Sequence, residues 1–153
     1  MLRSDEPTPG VGSVERIVVG TDLSARSSAA VSLAAQLAGE LGATLHLVSA
    51  CPMPTVGMGP EMVVVPDHKD VVDSAQADLD QMAADLRRQG LSVETHTPIG
   101  DASDALCSVA ETVGADLIVV GNKRMQGAAR LLGSVPNRVA HRATCSVLIA
   151  RTS

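Results

Sequence analysis

The residues best suited to chemistry lie close together between Gly121 and Ser134, where Gly121, Lys123, Arg124, Gly127, Arg130, Gly133 and Ser134 share one short stretch. The apolar run Leu117–Val120 precedes it, and Val135–Arg142 follows as a segment with helical character opened by a Ser. A strand, a glycine-punctuated basic loop and a Ser-capped helix start together make a place to hold an anion. Backbone amides and the positive end of the helix dipole both favour phosphate there. Glycine lets the backbone approach a ligand because it has no Cβ. The competing reading is an ordinary strand-to-helix connection with a glycine turn.

Other chemistries find less support. Cys51, Cys107 and Cys145 form no close pair and, being three, cannot all pair within one chain. A reduced compartment and roles as small buried hydrophobes are expected of them. His46, His68, His96 and His141 show no i,i+4 pair and no CxxC neighbour. Asp67, His68 and Asp70 carry ligand chemistry but read as a solvated helix start, so no metal is expected. For phosphoryl chemistry, Asp22 could help hold a metal or only fix the turn after the first strand, and Ser134 could be phosphorylated or act on phosphate. No Walker lysine motif accompanies them, nor a nucleophile–base pair, so no catalytic residue is assigned.

At 153 residues the chain has the length of one domain and can bury a sizeable core. Residues 1–14 read as a disordered tail without the apolar core of a signal peptide, and 15–153 as a single domain. No run approaches the roughly 20 apolar residues of a membrane span, so cytoplasm is the default. The net charge is −5 and Phe, Tyr and Trp are absent. That balance argues against general nucleic-acid binding, which needs cations for phosphate and aromatic platforms for bases. A bound base must lie between aliphatic side chains, and the core must be built from Val, Leu, Ile, Ala and Met.

The elements that position these residues alternate along the chain. Strands are expected at 15–22, 43–50, 91–98, 116–121 and 146–151. Helices are expected at 24–41, closed by Gly42, at 68–89, closed by Gly90, from Asp101 or Ser103 onward, and at 134–142. The connection 51–67 is long, with Met and Pro, and 61–65 could add a short strand; it could cover a ligand, pack at a dimer interface or be mobile. Five strands alternating with four helices imply an α/β fold: an open, doubly wound, five-stranded parallel sheet with helices on both faces. Two strands share the ending Ile-Val-Val-Gly, at Ile17–Gly20 and Ile118–Gly121, which suggests that they are central neighbours. Thr21, Asp22, Gly121 and the glycine loop would then surround the crevice where such sheets bind ligands.

With these pieces in hand, the chain resembles the universal stress protein family from about Glu15 to Arg151. The resemblance rests on Ile17–Ser24, Ala115–Gly121, Gly133–Val139 and Ala143–Arg151. It implies a Rossmann-like fold of the adenine nucleotide alpha hydrolase type, and it implies ATP or another adenine nucleotide, with or without Mg, as ligand. The ATP-binding branch carries a loop of the form G-x2-G-x9-G-[S/T]. Gly121 matches its first glycine, and Gly133 with Ser134 its closing pair. By that resemblance Asp22 would lie near the ribose and base, Ala50 would touch the base through its backbone, and amides around Gly133, Ser134 and Val135 would hold phosphate. Two departures stand out: Arg124 replaces the second glycine, and the spacer to Gly133 is one residue shorter. Arg124 either blocks the approach of the backbone or pairs with phosphate through its guanidinium fork. The resemblance also implies a homodimer joined through the last strand, an edge that pairing would cover. The reading that follows is a stress-response regulator with little or slow turnover. The alternatives are a protein-interaction dimer without ATP, or a weak ATP hydrolase.

Overall fold

Short β-branched runs cannot stand alone in water, and each requires helices over both of its apolar faces. In the computed structural model they form five strands, β1 (Arg16–Gly20), β2 (Thr44–Val48), β3 (Val93–His96), β4 (Leu117–Gly121) and β5 (Ser146–Ala150). The helices are α1 (Ser28–Leu41), α2 (His68–Arg88), α3 (Ala102–Val113) and α4 (Val135–Arg142). The structure describes residues 12–25, 27–53, 68–122 and 134–152. The expectations for the tail at 1–11, for most of the 51–67 connection with its extra strand, and for Lys123, Arg124, Arg130 and Gly133 lie outside the described residues.

The sheet is parallel with order β3-β2-β1-β4-β5, so β1 and β4 are the central neighbours that their shared ending suggested. Strand alternation sorts the core into two layers. Ile17, Val19, Leu45, Leu47, Val93 and Val119 face α1 and α2, where Ala30, Val31, Ala34, Ala38, Leu79 and Ala83 meet them. Val18, Val48, Ile118 and Val120 face α3 and α4, against Leu106, Cys107, Ala110 and Val139. In a chain without aromatic rings, α1 meets the sheet largely through alanines, Ala30, Ala34, Ala35 and Ala38. Each fully buried Leu or Ile side chain contributes about 1.5–3 kcal/mol.

Local polar contacts fix the ends. The Asp116 carboxylate accepts from the amides of Glu15 at 2.8 Å and Arg16 at 3.1 Å, which ties the start of β4 to β1. Asp101 caps α3 by accepting from Ser103 N at 3.0 Å and Asp104 N at 3.3 Å. A cap of this kind stabilises a helix by about 1 kcal/mol. Gly42 and Gly114 close α1 and α3 in the left-handed conformation, at φ 67° and 68°. Burial pushes the Cys51 and Cys107 thiols up from their ordinary range, which suits their roles as inert core residues.

Candidate functional site

The crevice is built first by the turn after β1. Thr21 is 7% exposed, and its amide donates to Val48 O at 2.9 Å, holding the ends of β1 and β2 together. Its hydroxyl accepts from Leu23 N at 3.0 Å and lies 2.7 Å from Ser27 Oγ. The Asp22 carboxylate accepts from Ser24 N at 2.9 Å and from the Ser24 hydroxyl. These bonds carry Leu23 into the left-handed region at φ 63°, a conformation that costs a non-glycine residue of order 1–3 kcal/mol. They also delay α1, which starts at Ser28 rather than at the expected residue 24. Side chains that bond to nearby amides offer the backbone an alternative to helix, and here that alternative wins.

The second wall comes from β4 and the chain's last residues. Asn122 Oδ1 accepts from Thr152 N at 2.9 Å and from Thr152 Oγ1 at 3.1 Å, folding the segment after β5 back across the end of β4. Gly121 allows this crossing, because a Cβ there would stand 2.6 Å from Thr152 Cγ2.

The third wall is the start of α4. Ser134 is the N-cap and is 5% exposed; its hydroxyl accepts from Asn137 N at 3.4 Å. Pro136 has no amide hydrogen and Asn137 is engaged by the cap. The Val135 amide therefore remains in the first turn with no partner inside the helix, where the dipole is most positive. Arg138 pairs with Asp101 at 3.3 Å and Arg142 with Asp104, so two ion pairs set α4 against α3. Such exposed pairs contribute little energy but fix the relative position of two helix ends. The Ser103 hydroxyl bound to Asp101, then the Ser103 amide, and after them the Arg138 and Arg142 charges, hold the Asp101 carboxyl below its ordinary range against the opposing effect of burial.

Together these ends enclose a crevice of about 240 Å³. Thr21, Asp22 and Gly121, which the strand endings placed at the crevice, line it together with Ala50 and Val135, which the family resemblance pointed to. Ser134 sits just behind Val135 in the capping position, and Arg124 and Gly133 lie outside the described residues. Val48, Leu106, Val120 and Pro136 give the crevice apolar walls, the aliphatic surroundings that a base would need in a chain without aromatics. Ser27 and Thr152 also line it, and sequence reasoning missed both. Ser27 reads as an ordinary helix-start residue, and only the course of the chain after β5 brings Thr152 to Gly121.

An open parallel α/β sheet with a crevice at the carboxyl ends of its central strands places the chain in the broad class of doubly wound α/β domains. The comparisons with known proteins narrow this class. Residues 13–151 match the Universal stress protein family, and the chain belongs to that family. A universal stress protein of Mycobacterium tuberculosis is 35% identical over 149 residues, covering 94% of this chain and 100% of the relative. Universal stress protein A homolog 1 of Coxiella burnetii is 31% identical over 137 residues, covering 88% and 94%. Among solved structures, a universal stress protein in complex with cAMP is similar at 32% identity and TM-score 0.75, covering 93% of this chain and 100% of that one. A universal stress protein from Archaeoglobus fulgidus in complex with dAMP shares the fold at 22% identity and TM-score 0.65, covering 91% and 99%. Among the described residues, no helix is long and apolar enough to cross a membrane.

Proposed function

We propose that this protein is an adenine-nucleotide-binding regulator of the stress response, with ATP as its ligand and little or slow turnover. The observation that carries this reading is the crevice itself. It combines apolar walls for a base, Asp22 at the end of β1 for the sugar, and the Val135 amide at the start of α4 for phosphate. A similar universal stress protein crystallised with cAMP supports an adenine nucleotide as the ligand class. Mg would accompany the phosphates of ATP rather than form a site in the protein alone.

The active form is a homodimer through β5. That strand is one edge of the sheet, and Ile149 on it is 39% exposed. Pairing with a second copy would satisfy its amides and cover that side chain. Residues 15–153 act as one domain behind the tail 1–14, in the cytoplasm. Ile149→Arg should shift the protein to monomer in analytical ultracentrifugation; an unchanged sedimentation coefficient would place the dimer contact elsewhere.

Arg124 favours a second reading, a dimer that binds protein partners without ATP, because it replaces a glycine of the ATP-binding loop. Mass spectrometry of the gently purified full chain, followed by calorimetry with ATP and with cAMP, separates the two. Co-purified ATP or calorimetric binding supports the first reading, and accumulation of ADP would add hydrolysis. A chain that carries no nucleotide and binds neither compound would leave the protein-interaction dimer as the reading.

A further inference from the structure

The sheet edge opposite β5 carries a set of donors that the crevice does not use. In the parallel register His46 on β2 stands beside Glu94 on β3, and His96 follows two residues along β3. The two-residue period of a strand therefore puts all three side chains on one face. This is the face covered by α3 and α4, but α3 lies over β1 and α4 over β4 and β5. The outer row of β3 is at the margin of that cover.

The donor atoms converge. His46 Nδ1 lies 3.0 Å from His96 Nε2 and 3.3 Å from Glu94 Oε2. All three donors fall within 4.8 Å of one another. Donors bound to one tetrahedral ion at about 2.0–2.1 Å are about 3.3 Å apart, so two of these separations already suit a shared ion. The His46 ring is 3% exposed, and its Nε2 is buried without a hydrogen-bond partner, so only Nδ1 is offered to the cluster. The Glu94 side chain is 62% exposed, which gives an ion a path and leaves room for water beside it.

Hydrogen bonding alone serves this group poorly. If the Nε2 hydrogen of His96 points to His46 Nδ1, the lone pairs of His46 Nδ1 and Glu94 Oε2 face each other at 3.3 Å. If His46 Nδ1 carries the hydrogen, His96 and Glu94 compete for it. A cation satisfies the three lone pairs together. The Arg16 guanidinium acts on His46 and opposes a cation, and the Glu94 carboxylate supplies the compensating charge.

We propose that His46, Glu94 and His96 bind one divalent transition-metal ion of the zinc class, with water completing its coordination. Two imidazoles and a carboxylate form a nitrogen–oxygen donor set suited to such ions. None of the three lines the nucleotide crevice, so the site is independent of the proposed function. Bound metal would fasten β3 to β2 at that edge of the described sheet.

The test uses the full chain stripped with a chelator and titrated with zinc and then cobalt. One equivalent of cobalt should give d–d absorption of a tetrahedral or five-coordinate ion, without the charge-transfer band of a thiolate ligand. Glu94→Gln and His96→Gln should each weaken zinc binding by at least about 10- to 100-fold, the loss that even outer-sphere partners produce. Glu94→Gln alters an exposed side chain and decides the matter even if His96→Gln fails to fold. No uptake by folded wild-type protein, a thiolate–cobalt band, or equal zinc affinity in wild type and Glu94→Gln would overturn the proposal.

Discussion

Gly121→Ala offers a stringent test of how the crevice is assembled. The new Cβ would stand 2.6 Å from Thr152 Cγ2, roughly 1 Å inside the optimum of about 3.5–4.0 Å between carbons. Ala30 Cβ already lies 3.8 Å away, in ordinary contact, so the added methyl is hemmed in on that side. Gly121 is not among the residues with positive φ, so the cost is steric rather than torsional. Thr152 must yield, and its two bonds to Asn122, at 2.9 and 3.1 Å, resist that movement. Two hydrogen bonds at about 0.5–1.5 kcal/mol each give a cost of about 1–3 kcal/mol, and overpacking a dense site falls in the same range. Urea unfolding should show this as a lower midpoint at unchanged m-value. In a Thr152→Ser background Cγ2 is gone while the hydroxyl remains, so the same substitution should cost at least about 1 kcal/mol less. An equal cost in both backgrounds would refute the steric reasoning.

Ser134→Ala should weaken ATP binding and lower stability by about 1 kcal/mol through loss of the cap, so calorimetry and urea unfolding belong together. Loss of stability without loss of affinity would confine Ser134 to capping. Arg124→Ala should weaken ATP binding by roughly 1.5–3 kcal/mol if the guanidinium pairs with phosphate. Tighter binding by Arg124→Gly, with no loss in Arg124→Ala, would identify an obstruction instead. Asp101→Ala should cost about 1 kcal/mol near neutral pH. Because the folded-state pKa of Asp101 is depressed, its contribution is complete above the ordinary value of 3.8 and is lost as pH falls through the lower folded value. The stability difference between wild type and Asp101→Ala should therefore shrink as pH drops below about 4. A difference that stays constant into acid would show that the carboxylate's charge is not what stabilises α3.

Much of the fold was legible because each element carried its own period and punctuation. The Ile-Val-Val-Gly runs marked buried parallel strands, and their shared ending anticipated the pairing of β1 with β4. Ser134 was legible as a cap, and Asp101 as one of two candidates with Ser103, because their side chains act on amides only two or three residues away. The start of α1 was misplaced because Thr21 and Asp22 claim the amides of Leu23 and Ser24, a competition the sequence pattern does not reveal. Thr21, Asp22 and Gly121 were legible at the crevice because they sit at ends of strands, where local pattern and topology meet, whereas Ala50 and Val135 were reached only through the family resemblance. Thr152 was missed because its role depends on a contact across the sheet with Gly121 and Asn122. The histidine cluster was hidden for the same reason. His46 and His96 are 50 residues apart in the chain, and only the register of β2 with β3 joins them.

The central claim is that an adenine nucleotide occupies the crevice between the ends of β1, β2 and β4 and the start of α4. Amide chemical shifts of the isotopically labelled, nucleotide-free chain during titration with ATP test it most directly. The largest shifts should fall on Thr21, Asp22, Ala50, Gly121 and Val135, the residues that line the crevice. No perturbation at millimolar ATP, or shifts centred on the groove between α1 and α2 around Gln36, Glu40 and Gln89, would contradict the account.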